Sequence, residues 1–100
     1  MIPHEAGRIG LWSMAGLRAA EAGLLSTALA LMVKHDGPIS REELREWAHP
    51  SDRAAFPRRL RSLVRKGKLQ VSDDGLLTAN PMVIEAFAIV MLGAPFDDAP

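Results

Sequence analysis

The spacing of apolar positions changes several times along this chain, and each change marks an element. Met1–Gly10 holds a proline and two glycines and reads as loosely ordered. Leu11–Lys34 is dense in Ala and Leu and reads as helical. Gly16 and Gly23 weaken it, so one helix or two helices broken near Gly23 both fit. Asp36-Gly37-Pro38 ends the stretch, after Lys34 and His35, whose charge suits a helix C-terminus. Ser40 then opens a second helix. Ser40 and Glu43 have capping-box spacing, and Ile39 and Leu44 occupy the hydrophobic-staple positions. Leu44, Trp47 and Ala48 form its expected inward face, and His49-Pro50 stops it. A third helix is expected over residues 57–66, because Pro57 suits a first helical position and Gly67 suits the cap.

Beyond Gly67 the period shortens. Lys68–Ser72 alternates, with Leu69 and Val71 on one face, and Leu76–Ala79 is a second short apolar run. Asp73-Asp74-Gly75 between them is a hairpin signal. Asn80 and Pro81 start a last helix, Met82–Leu92, which Gly93 and Pro95 end. Phe96–Pro100 reads as a frayed tail. The expected organisation is a single domain over residues 11–93, between flexible ends at 1–10 and 94–100. Its class is mainly α with a small β-hairpin.

Charge changes this picture most. The chain carries 12 Lys+Arg and 12 Asp+Glu, so its net charge is zero. The segment Ser51–Lys68 nevertheless holds Arg53, Arg58, Arg59, Arg61, Arg65, Lys66 and Lys68 against Asp52 alone. Seven cations and one acid give it +6, and the remaining five cations and eleven acids give the rest −6. At about 100° per residue, Phe56, Leu60, Leu63 and Val64 share one face of this helix. Arg58, Arg61, Ser62 and Arg65 share the other, with Arg59 and Lys66 on a flank. A single-signed stripe opposite an apolar face is the electrostatic footprint of a nucleic-acid binder.

Other chemistry is sparse. The chain has no cysteine, which excludes disulfides and thiolate metal sites and makes a reducing cytoplasm the expected location. Ala22–Val33 is shorter than the ~20 residues a membrane span needs, and neither a leader nor a membrane role is expected. His4, His35 and His49 lack metal-ligand spacing. No serine lies in a nucleophile motif, and no glycine-rich phosphate loop is present, so an enzyme, a cofactor and a small-molecule ligand are not expected. Trp12 and Trp47 are expected in the core. The last helix has one charge, Glu85, over Met82–Leu92 and is apolar nearly all round. Either the first helix or a second subunit must cover it. The expected arrangement is a homodimer through Met82, Ile84, Phe87, Ile89 and Met91.

From Gly37-Pro38-Ile39-Ser40-Arg41-Glu42-Glu43-Leu44 to Gly67-Lys68-Leu69, the order of capped helix, basic helix and hairpin resembles the winged helix-turn-helix superfamily. It looks most like small MarR-, ArsR- or PadR-type bacterial regulators and related phage modules, with flanking N- and C-terminal helices. The resemblance covers about Leu24–Ala79. It implies that the third helix enters the major groove of duplex DNA and that the hairpin touches the backbone or minor groove. By position, Arg58, Arg61, Ser62 and Arg65 would face bases and phosphates, and Arg53, Arg59, Lys66 and Lys68 would hold phosphates. The implied function is a small transcriptional regulator or a phage or plasmid accessory factor. The alternative is a winged-helix module that binds protein and not DNA. Two features depart from the family pattern. The connection His49–Phe56 is long and lacks a glycine, and the hairpin tip Asp73-Asp74 is acidic.

Overall fold

The computed structural model describes residues 16–48 and 50–91. Expectations for residues 1–15, His49 and 92–100 lie outside the described residues, as does the side chain of Met91. The described chain is mainly helical with one small antiparallel hairpin. Helix α1 is Ala19–His35, α2 is Arg41–Trp47, and α3 is Phe56–Arg65. The hairpin strands are β1, Gln70–Val71, and β2, Leu77–Thr78, and α4 is Pro81–Met91. A 3-10 helix, Pro50–Ala55, fills the long connection between α2 and α3.

Helix α1 is the hub, packing against α2, α3 and α4. Leu24, Leu25, Ala28, Leu29, Leu31 and Met32 are all buried on it. It runs unbroken through Gly23, against the expectation of a break there as one of two readings. The reason is local: Gly23 is exposed, keeps ordinary helical φ, and has no atom within 4 Å of where a Cβ would stand. Its cost is therefore only its weak propensity, which the packing of its neighbours outweighs. The helix ends as Asp36 takes a left-handed conformation at φ 55°. The Asp36 and Gly37 amides donate to the carbonyls of Val33 and Met32 at 3.3 and 3.1 Å. The left-handed residue is thus the aspartate, not the glycine beside it.

Helix α2 starts as its sequence demands. The Glu43 amide donates to Ser40 Oγ at 3.0 Å, and the staple residues Ile39 and Leu44 are buried. The Glu43 carboxylate serves a different partner from the one a capping box supplies. Its Oε2 lies 2.5 Å from His35 Nε2 and ties α2 to the end of α1. Trp47 corrects an expectation, because it is 59% exposed, not in the core. The Lys34 ammonium sits 5.4 Å from its ring centroid. Leu44 and Ala48 alone carry the inward face, since α2 spans barely two turns and its last turn overhangs the core.

The hairpin pairs Gln70 with Thr78 and Val71 with Leu77. Gly75, at φ 83°, closes the turn, and its amide donates to Ser72 O at 2.9 Å. A third segment joins. Ile39 N–H donates to Leu77 O at 3.0 Å, and Leu77 N–H to Ile39 O at 2.8 Å. Leu77 is therefore flanked on both sides and buried, whereas Val71 lies on the free edge and is 54% exposed. The expected shared inward face of Leu69 and Val71 holds only for Leu69. Asn80 caps α4, its Oδ1 accepting from Met82 N–H at 2.8 Å.

Candidate nucleic-acid interface

Helix α3 turns Phe56, Leu60 and Leu63 into the core, and Val64 packs at its edge. This burial fixes the rotation of the helix and aims Arg58, Arg61 and Arg65 outward, where all three are exposed. Positions 58, 61 and 65 follow the three- and four-residue spacing of one helix face, a row about 10 Å long. None of the three makes an ion pair or hydrogen bond with another described residue. Arg53 is also exposed, and its Nη2 donates to Glu46 O at 3.3 Å, which steadies the 3-10 helix against α2.

Two of the expected cations are less exposed than this row. Arg59 is half-buried and lines a small cleft with Ala20, Gly23, Leu24, Thr27, Ala48 and Phe56, its Nη1 shielded from solvent. Lys68 is half-buried beside the hairpin. Helix α3 closes as Gly67 turns left-handed at φ 76°, with its amide donating to Val64 O at 3.0 Å and the Lys68 amide to Leu63 O at 2.9 Å.

Ser62 is the clearest correction. It is buried, not outward, and its Oγ donates to Glu21 Oε2 at 2.7 Å. Lys66 follows it one turn on. Its Nζ donates to Glu21 Oε1 at 2.9 Å and to Gly16 O at 3.2 Å. The Arg18 amide, at the start of α1, donates to the same Oε1 at 3.3 Å. Both carboxylate oxygens of Glu21 are thus engaged. These bonds hold its pKa down to about 2, chiefly through Ser62, then Lys66, then the Arg18 amide. The helical phase alone left Ser62 on the outer side, because α1 crosses that flank and covers it. Glu21 and Arg18 went unnoticed in the sequence, since nothing local links a lone acid in α1 to a serine 41 residues away.

Arg58, Arg59, Arg61, Arg65 and Lys66 line one open groove with Arg18 and Glu21, between the start of α1 and the face of α3. Asp73 and Asp74 are exposed at the hairpin tip. Among the described residues, no group of three or more His, Cys, Asp or Glu could hold a metal ion, and no helix is long and apolar enough to cross a membrane.

Helix α4 divides differently from the expected interface set. Val83 and Ala86 are buried, and Ile84 and Phe87 pack against the same core. Ile84 and Phe87 are therefore engaged within the chain, because α1 covers that side of α4. Ile89 is half-buried, while Met82 is 62% and Val90 57% exposed. No protein-family model matches the chain, and neither the curated proteins nor the solved structures searched yield a match.

Proposed function

We propose that the protein is a winged helix-turn-helix domain that binds duplex DNA through α3, as a small regulator or a phage or plasmid accessory factor of the cytoplasm. The observation that carries this reading is the row Arg58, Arg61 and Arg65, exposed and without a partner among the described residues. Guanidinium groups suit such a face because each can grip a phosphate or a guanine edge bidentately. The element order supports the reading: α1, capped α2, basic α3 and a hairpin whose inner strand is bridged by Ile39. The acidic tip leaves the hairpin a brace for α3, with DNA contact resting on α3 and Arg53.

A two-fold pair of chains belongs to the same reading. Its support is the exposed Met82 and Val90 on a helix with a single charge. Pairing would set two copies of α3 for half-sites about 34 Å apart. Sedimentation equilibrium of the full chain and of Val90→Glu tests the pairing, and a concentration-independent monomer would refute it.

Titration of random-sequence duplex at several salt concentrations tests DNA binding. With Arg53, Arg58, Arg61 and Arg65 on phosphates, log K should fall with log salt at a slope of about −3 to −4. Arg61→Ala or Arg65→Ala should each flatten it by about 0.9. Binding that ignores salt and both substitutions would leave the second reading, a protein-interaction module. The exposed Trp47 and Val71 favour that alternative.

A further inference from the structure

The groove between α1 and α3 is lined by six cations and a single carboxylate. Arg18, Arg58, Arg59, Arg61, Arg65 and Lys66 line it, and Glu21 lies among them. Glu21 is the deeper partner of its ion pair, with 13% of its side chain exposed, whereas Lys66 is 34% exposed. The Lys66 ammonium is therefore within reach of a partner from solvent. Residue 66 caps α3 on the flank beside the row of exposed arginines, one turn beyond Ser62. Both Glu21 oxygens accept hydrogen bonds, from Ser62 and Lys66 side chains and the Arg18 amide, in the manner of a bound anion's oxygens. With a pKa near 2, the carboxylate stays charged throughout the neutral range.

We infer that Glu21 is a resident counter-ion in this groove: it occupies the place of a phosphate, withholds Lys66 from the nucleic-acid backbone, and thereby lowers the domain's affinity for duplex DNA. This rests on the DNA-binding reading of α3. The chemistry is a competition between two anions for one ammonium. A phosphodiester approaching the groove meets a lysine already paired and a carboxylate that repels it. Glu21 thus sets how many cations the face offers, leaving the row of arginines to act without the lysine beside it. It is a positioning residue, acting through Lys66.

The test compares salt dependence of binding to a short random-sequence duplex for the full-length parent, Glu21→Gln, Lys66→Gln and the double variant. Gln keeps an acceptor for Ser62 and removes the charge. The released lysine should steepen the slope of log K against log salt by about 0.9, which corresponds to a gain of about five-fold at about 0.15 M salt. Lys66→Gln in the parent should leave the slope unchanged, and in the Glu21→Gln background it should abolish the added slope. A Glu21→Gln slope equal to that of a salt-sensitive parent overturns this inference and leaves DNA binding standing. A parent and variants that all ignore duplex DNA overturn both readings together. Should Glu21→Gln fail to fold, Lys66→Gln decides alone: a slope flattened by about 0.9 would show that the lysine already contacts phosphate, against the inference.

Discussion

Helices α1 and α3 cross in the centre of the molecule and contrast in what their sequences reveal. On α3 the apolar residues keep to one side, so burial of Phe56, Leu60 and Leu63 turns Arg58, Arg61 and Arg65 outward, while on one flank Arg59 is partly covered and Ser62 fully. On α1 small and large apolar residues surround the axis, and Leu24, Leu25, Ala28, Leu29, Leu31 and Met32 are buried along one arc of about 160° that its composition does not single out. A helix of the first kind declares its orientation. A helix of the second kind takes its orientation from its neighbours, and its few polar residues gain their roles from whatever happens to lie opposite. Glu21 is the example: it is unremarkable in α1 and central to the flank of α3.

The contrast can be broken first at the core. Leu29→Ala on α1 and Leu63→Ala on α3, both fully buried, should each cost about 2–5 kcal/mol in urea unfolding. Val90→Ala, on the exposed side of α4, should stay within about 0.5 kcal/mol if that side faces solvent in the monomer. A neutral Leu63→Ala would mean that α3 does not pack as described.

Next comes the tie between the two helices. Glu21 has a folded-state pKa of about 2, below its ordinary value of 4.5. The stabilisation it supplies is therefore present above pH 4.5 and lost as pH falls toward 2. Glu21→Gln should remove that part of the acid dependence of the melting temperature. Melts of parent and variant from neutral to acidic pH that run parallel would show that Glu21 does not hold α3 on α1.

The glycines provide a pair of opposite sign. Gly67→Ala places a side chain at φ 76° beyond α3 and should cost about 1 kcal/mol. Gly23→Ala on α1 meets open space in ordinary helical geometry and should stabilise by up to about 1 kcal/mol. Thermal melts of the two variants together separate a backbone requirement from a tolerated weakness. Smallest of all, Arg61→Ala should leave stability within about 0.5 kcal/mol while weakening DNA binding, as expected of a side chain with no partner among the described residues.

Local chemistry made several elements legible. Ser40 announced the start of α2 because a hydroxyl there satisfies a backbone amide, whatever the rest of the fold does. Gly75 in its Asp-Gly turn and Gly67 after α3 announced positive φ, since few other residues tolerate it. The amphipathic phase of α3 announced its inner and outer faces. Each of these signals acts within a few residues, so the sequence carries it openly.

Other features exist only because distant segments meet. The Ile39–Leu77 bridge buries Leu77 and leaves Val71 on a free edge, a distinction that strand alternation does not contain. Trp47 points to solvent because α2 ends beyond the core, although its apolar bulk suggested the reverse. The burial of Ser62, the pairing of Lys66 and the depressed pKa of Glu21 all follow from the crossing of α1 over one flank of α3. The sequence by itself determined most of the elements, the Ser40, Gly67 and Asn80 caps and the outward arginine row, because these depend on backbone propensity and helical period. Only the tertiary structure decided which polar groups are satisfied internally and which remain for a partner, because charge pairing and desolvation depend on what lies within a few ångströms in space.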